Sequence, residues 1–198
     1  MLFRSYFGAC AALGRWYLAV ASIPLAVFIV YPYLKRFTPL CHFGVGAALA
    51  LAPLAGYAAA HPDLANPRPA ILLAVFAFLW VSGFDIIYAT LDEAFDREHG
   101  VHSLVAWLGR VAALRVSAIL HGCAITALLM VTWSVLDPGS ARTPVLAMGM
   151  SSVSFTIATT LLALEQRWAE RVDLAFFKVN VWVGACVLLT VLAARIRF

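Results

Sequence analysis

The chain has 198 residues, of which 64% are hydrophobic and 12% charged, with mean hydropathy +0.92 and formal net charge +4. Soluble domains run about 45–50% apolar and about 25% charged, so a soluble fold is excluded and the chain reads as an integral membrane protein of one domain, 1–198. The thin, scattered basic excess gives nucleic-acid binding no support, and Cys10, Cys41, Cys123 and Cys186 show no metal-ligand spacing or pairing pattern.

In chain order, residues 1–14 (MLFRSYFGACAALG) are too short to cross a bilayer, which takes about 20 mainly apolar residues. They read as the end of a partial first helix. Six complete spans follow, at about 16–33, 39–60, 69–91, 111–135, 143–164 and 175–194. KRFTP (35–39), HPDLANPRP (61–69), the polar stretch from Asp92 to Arg110, DPGSARTP (137–144) and EQRWAERVD (165–173) separate them. No segment carries the alternation of a membrane barrel, so an all-α, multi-pass transmembrane helical bundle is expected. Lys35, Arg36, Arg97, Arg110, Arg167, Arg171 and Lys178 fall on one side. Arg68, Arg142, Arg195 and Arg197 fall on the other, with Arg15 near it. The positive-inside rule places the richer side in the cytoplasm, as for a multi-pass protein of a cell (inner) membrane.

The third span ends in GFDIIYATLDEAFDREHG (83–100). If its helix continues for a turn or more, at about 100° and 1.5 Å per residue, Asp85, Asp92 and Asp96 share one face. Asp92 and Asp96 then meet across one turn, and Asp85 lies about 10 Å deeper. A carboxylate at that depth is costly unless it faces a wet cavity, a cation or a partner. Two carboxylates one turn apart suit Mg²⁺, which takes one or two protein carboxylates and fills its other positions with phosphate and water. The competing reading is a solvated helix end. On the same side, YPYLKRFT (31–38) puts Tyr31 and Lys35 on one helical face, if the helix continues past Pro32, with Arg36 adjoining. This cluster reads either as an interfacial anchor or as a diphosphate grip, Lys35 and Arg36 taking oxygens whose neighbours sit on the metal.

These stretches resemble the UbiA superfamily of intramembrane aromatic prenyltransferases. VYPYLKRFTPLCHFGVGAALALAPLAG (30–56) is similar to its YxxxK region, and WVSGFDIIYATLDEAFDREHGVHSL (80–104) to its second Asp-rich motif. EQRWAERVDLAFFKVNVWVG (165–184) is similar to its last loop and final span. The wording of the motifs stands nearest the 4-hydroxybenzoate polyprenyltransferase-like branch, including members of menaquinone biosynthesis. The resemblance implies that Asp92 and Asp96 bind Mg²⁺, that Asp85 lines the same cavity, and that Tyr31, Lys35 and Arg36 contact a prenyl diphosphate. It implies transfer of the prenyl group to a small aromatic acceptor, in quinone biosynthesis. His102 and Ser103 occupy a loop where the family commonly has Lys-Ser, so His102 is a departure. Asn180 matches a family Asn without an assigned role.

The family also carries a first Asp-rich motif for a second Mg²⁺, whereas no Asp or Glu occurs here before Asp63. The chain is therefore expected to correspond to the later helices of such an enzyme, without its first two, and to have little or no activity alone. The alternatives are an inactive membrane remnant or interaction subunit and, less favoured, an ion-coupled transporter; nothing in the sequence sets an oligomeric state. His42 reads as interfacial packing, and His61 and His121 as satisfied structural histidines. Trp107, Trp133, Trp168 and Trp182 read as an aromatic belt. Glu165, Arg167, Glu170 and Arg171 read as a solvated, paired helix face.

Overall fold

A computed structural model describes residues 2–136, 145–169 and 174–193. The expected break at 137–144, the charged residues Glu170 and Arg171, and Arg195 and Arg197 lie outside the described residues. Apart from short connections the described residues are helical, in line with the all-α expectation. In lipid every peptide group must be satisfied internally, and a helix does this within one segment.

The short first helix, α1 (Leu2–Leu13), precedes α2 (Arg15–Val20) and α3 (Ser22–Val30), and a 3₁₀ turn (Tyr31–Arg36) completes that stretch. Then come α4 (Cys41–Ala60), α5 (Arg68–Ala89), the short α6 (Glu93–Glu98) and α7 (Leu104–Leu108), α8 (Arg110–Leu136), α9 (Val145–Arg167) and α10 (Leu174–Ala193). Among the described residues five stretches are long and apolar enough to cross a membrane: Arg15–Arg36, Cys41–Ala60, Arg68–Ala89, Arg110–Leu136 and Val145–Arg167. A shorter apolar stretch, Lys178–Ala193, falls within the sixth expected span.

The bundle packs α5 between α4 and α8, and α9 against α10, with α8 joining the two groups. The main core gathers Phe76 of α5, Ala124 and Leu128 of α8, Ala158 and Leu162 of α9, and Val183 and Val187 of α10. A second cluster, Ile86 and Ala89 with Leu104, Val105 and Ala113, seats α7 against the end of α5. The N-terminal helices are tied on by hydroxyls: Tyr6 donates to the Ala21 carbonyl (2.7 Å) and Tyr17 to that of Ala58 (2.7 Å). Trp107, Trp133, Trp168 and Trp182 are exposed.

Lipid tails are as apolar as leucine, so membrane helices gain little by burying leucine against one another and depend on small residues for close approach. Gly46 of α4 meets Phe78 and Ser82 of α5; a Cβ built there would lie 2.6 Å from the Phe78 carbonyl oxygen. Gly46→Ala is therefore expected to lower the thermal midpoint in detergent, at a cost of about 1–3 kcal/mol. An unchanged midpoint would show that α4 and α5 are not packed this closely.

One sequence reading fails inside the bundle. Glu165 is not on a solvated face: it is 0% exposed, with the Asn180 side chain beside it but no well-formed hydrogen bond to either carboxylate oxygen. Ala147, Ser151, Ala158, Leu162 and Glu165 form the buried stripe of α9, and helical periodicity carries the stripe into the charged tail. His121 is buried as a structural histidine, with the Trp80 backbone and the Gln166 side chain beside its ring, although neither nitrogen makes a well-formed hydrogen bond. Its ring lies against Gly83, where a Cβ would stand 2.5 Å from Cδ2. His61, by contrast, has Nδ1 3.3 Å from the Tyr57 carbonyl. Asn180 acquires a structural role, accepting from Trp80 Nε1 (3.1 Å) and joining α10 to α5. A buried polar group that is poorly satisfied costs about 1–3 kcal/mol on mutational data, so Glu165→Met is expected to raise the thermal midpoint. A lowered midpoint would show that the contact with Asn180 outweighs that cost.

Candidate functional site

The three carboxylates do not ride one continuous helix. The Thr90 hydroxyl donates to the Ile87 carbonyl (2.7 Å), and Thr90, Leu91 and Asp92 amides bond to Ile87, Tyr88 and Ala89 carbonyls three residues back. This tightened turn ends α5 at Ala89, and α6 starts afresh with Asp92 as its N-cap residue. The phase inferred between Asp85 and the other two is thus broken. The pair itself stays one turn apart, the Asp96 amide donating to the Asp92 carbonyl (2.8 Å). Asp92 is exposed and its carboxylate makes no capping bond. Asp96 is 4% exposed, and its Oδ2 has no hydrogen-bond partner.

Asp85 has a protein partner. Its Oδ2 lies 2.6 Å from His42 Nδ1, on a ring that is fully buried at the start of α4. Sequence reading treated His42 as packing. Only the long-range approach of residues 42 and 85 reveals its contact, and no local signal marks it.

The basic segment also differs from expectation. Tyr31–Arg36 is a 3₁₀ helix with Pro32 in its first turn, and about three residues per turn places Tyr31 over Leu34 rather than Lys35. Both Tyr31 and Leu34 pack on Gly44 of α4. Lys35 and Arg36 are exposed; the Arg36 guanidinium sits 5.4 Å from the Tyr33 ring centroid, and no carboxylate among the described residues pairs with either cation.

Acidic and basic arms converge through residues 99–103. The Val101 amide donates to the Asp96 carbonyl (2.8 Å), and the His102 amide donates to the Lys35 carbonyl (2.9 Å). Gly100, at φ +65°, follows the end of α6, where a left-handed residue lets the next amide reach back to close the helix. Between this strap of residues 99–103 and α6 lies a cavity of about 530 Å³, lined by Pro39, Asp96, Arg97, Val101, His102 and Ser103 among others. Arg97 adds a cation that sequence reading had assigned only to loop charge; it pairs with Glu93 at 3.0 Å.

The donor set fits a hard divalent cation held together with phosphate. Asp96 lines the cavity and keeps a buried oxygen without a donor, and Asp92 stands one turn away. Among the described residues no group of three or more potential ligands forms a cage. Such a site suits Mg²⁺, which needs only one or two carboxylates.

Comparison with known proteins identifies the family. The chain is 32% identical over 169 residues to the 4-hydroxybenzoate octaprenyltransferase of Alcanivorax borkumensis, covering 82% of this chain and 53% of that one. It is 29% identical over 167 residues to a polyprenyl transferase of Aspergillus niger, covering 83% of this chain and 48% of that one. The chain thus spans about half the length of the curated relatives it matches. The apo structure of a UbiA homolog from Aeropyrum pernix superposes with a TM-score of 0.78 at 29% identity, covering 96% of this chain and 68% of the other. The UbiA prenyltransferase family profile matches residues 1–194, and the chain belongs to that family, on its 4-hydroxybenzoate polyprenyltransferase-like side.

Proposed function

We propose that residues 1–198 act as one transmembrane domain that binds a prenyl diphosphate with Mg²⁺ and takes part in transferring its prenyl group to a small aromatic acceptor, such as 4-hydroxybenzoate, in quinone biosynthesis. The observation that carries this is the buried, unpartnered oxygen of Asp96 in a cavity whose roof is hydrogen-bonded to Lys35. The names of the relatives supply the prenyl and aromatic classes. The basic side is cytoplasmic by the positive-inside rule, in a cell (inner) membrane, so the site opens to water-soluble substrate from that face.

In the reaction the allylic C–O bond breaks and its electron pair leaves with the diphosphate. A ring carbon of the acceptor supplies the pair for the new C–C bond, and the ring proton is lost. Mg²⁺, when bound, would supply a Lewis acid for the charge on the diphosphate, and Asp92 and Asp96 would hold it. Lys35 offers a point charge and Arg36 a planar fork to phosphate oxygens, with Tyr31 at the base of the same turn. Asp85 stands behind this group, one turn inside α5.

Calorimetric titration of the detergent-solubilised chain with farnesyl diphosphate tests the assignment. Mg²⁺-dependent binding is expected, weakened at least about tenfold in Asp96→Asn and in Asp92→Asn, about 1.4 kcal/mol, with unchanged thermal midpoints. Equal affinity in both variants would reassign the carboxylates to a solvated helix end.

A further inference from the structure

We propose that His42 is a positioning residue that holds the 99–104 strap over the diphosphate cavity, with Asp85 fixing its ring from inside the membrane. The inference rests on the prenyl-diphosphate reading for what the cavity binds, but not for the strap itself.

The ring is bonded at both nitrogens. Nδ1 lies 2.6 Å from Asp85 Oδ2, and Nε2 accepts from the Leu104 amide at 3.3 Å. Only one tautomer satisfies both contacts: Nδ1 carries the proton and donates to the carboxylate, leaving Nε2 bare to accept. Asp85 thus selects the tautomer that can grip the strap. A carboxylate inside a span needs a partner, so its side of the bond is strongly held, and the ring inherits that orientation.

The Leu104 amide is the first helical donor of α7, one of those a helix leaves unpaired at its start. Ser103 caps the same helix, its hydroxyl accepting from Ala106 at 3.1 Å. His42 therefore supplies a second cap from another helix. The link Gly100–Ser103 is short and bonded along its whole length: to the Asp96 carbonyl at Val101, to the Lys35 carbonyl at His102, and through the Cys41 thiol to the His102 carbonyl at 3.5 Å. Two of these tethers, Cys41 and His42, open α4. A loss of ring orientation at His42 lets the far end of the strap lift away, taking with it Ser103 and His102, which line the cavity.

Two conservative substitutions divide the ring between its nitrogens. His42→Gln keeps an acceptor near the position of Nε2, and His42→Asn keeps a donor near Nδ1. Hydrogen exchange of the solubilised full chain reads the Leu104 amide directly, and titration with inorganic diphosphate plus Mg²⁺ reads the cavity. Exchange at Leu104 is expected to rise about tenfold in His42→Asn and His42→Ala, the scale of one lost hydrogen bond, and to stay within about threefold in His42→Gln. Amides in α9 stay unchanged, which separates this from unfolding. Asp85→Ala raises Leu104 exchange as well, and Asp85→Ala combined with His42→Ala raises it no further than His42→Ala alone, because both break one path. Diphosphate affinity falls about five- to tenfold wherever Leu104 exchange rises, the same bond's worth read at the cavity.

Unchanged Leu104 exchange in His42→Asn, or additive effects of the two alanine substitutions, overturns the proposal. So does faster exchange with diphosphate affinity intact. Should His42→Ala fail to fold, the Asn and Gln variants carry the comparison. If the unsubstituted chain binds no diphosphate, the prenyl-diphosphate reading falls, and the exchange pattern still decides whether His42 holds the strap.

Discussion

Hydrocarbon offers no hydrogen bonds, and that constraint orders this molecule. Peptide groups pair within helices, and helices meet through small residues such as Gly46. A polar side chain inside a span must then find a partner or carry the cost. Asp85 finds His42, Ser117 donates to the Gly83 carbonyl, and Trp80 meets Asn180. Glu165 has the Asn180 side chain beside it but no well-formed hydrogen bond. Asp96, with its unpartnered oxygen, differs because it lines a cavity at the bundle's end rather than a packed interior.

The end of the bundle carries the two charges that the proposed diphosphate site needs without letting them neutralise each other. Lys35 and Arg36 project from a 3₁₀ turn seated on Gly44, while Asp92 and Asp96 belong to a short helix beyond the break in α5. Backbone bonds through the strap, rather than side-chain ion pairs, bring the two segments together. The cations keep their charge available for phosphate and the carboxylates theirs for a metal.

Much of this is legible in the sequence because a span is a long, regular signal. The helical segments fall close to their expected limits, and the D-x-x-x-D pair keeps its one-turn spacing across Asp92 and Asp96. Local competition hid the rest. The Thr90 hydroxyl takes an α5 carbonyl and ends the helix where apolar periodicity alone continues it. Pro32 opens a 3₁₀ turn that rotates Lys35 away from Tyr31. Glu165 sits among charged neighbours in sequence, yet it is in step with Leu162 and Ala158. His42 and Asp85 are 43 positions apart, and no local pattern joins them.

The central claim is that the acidic helix and the basic turn form one metal–diphosphate site. Mn²⁺, a spectroscopic substitute for Mg²⁺, tests it most directly through electron–nuclear double resonance on the solubilised chain with inorganic diphosphate. The account predicts a protein-bound Mn²⁺ signal with phosphorus hyperfine coupling, lost when Lys35 and Arg36 are both replaced by methionine. Mn²⁺ that remains the free aquo ion, or binds the chain without phosphorus coupling, would contradict it.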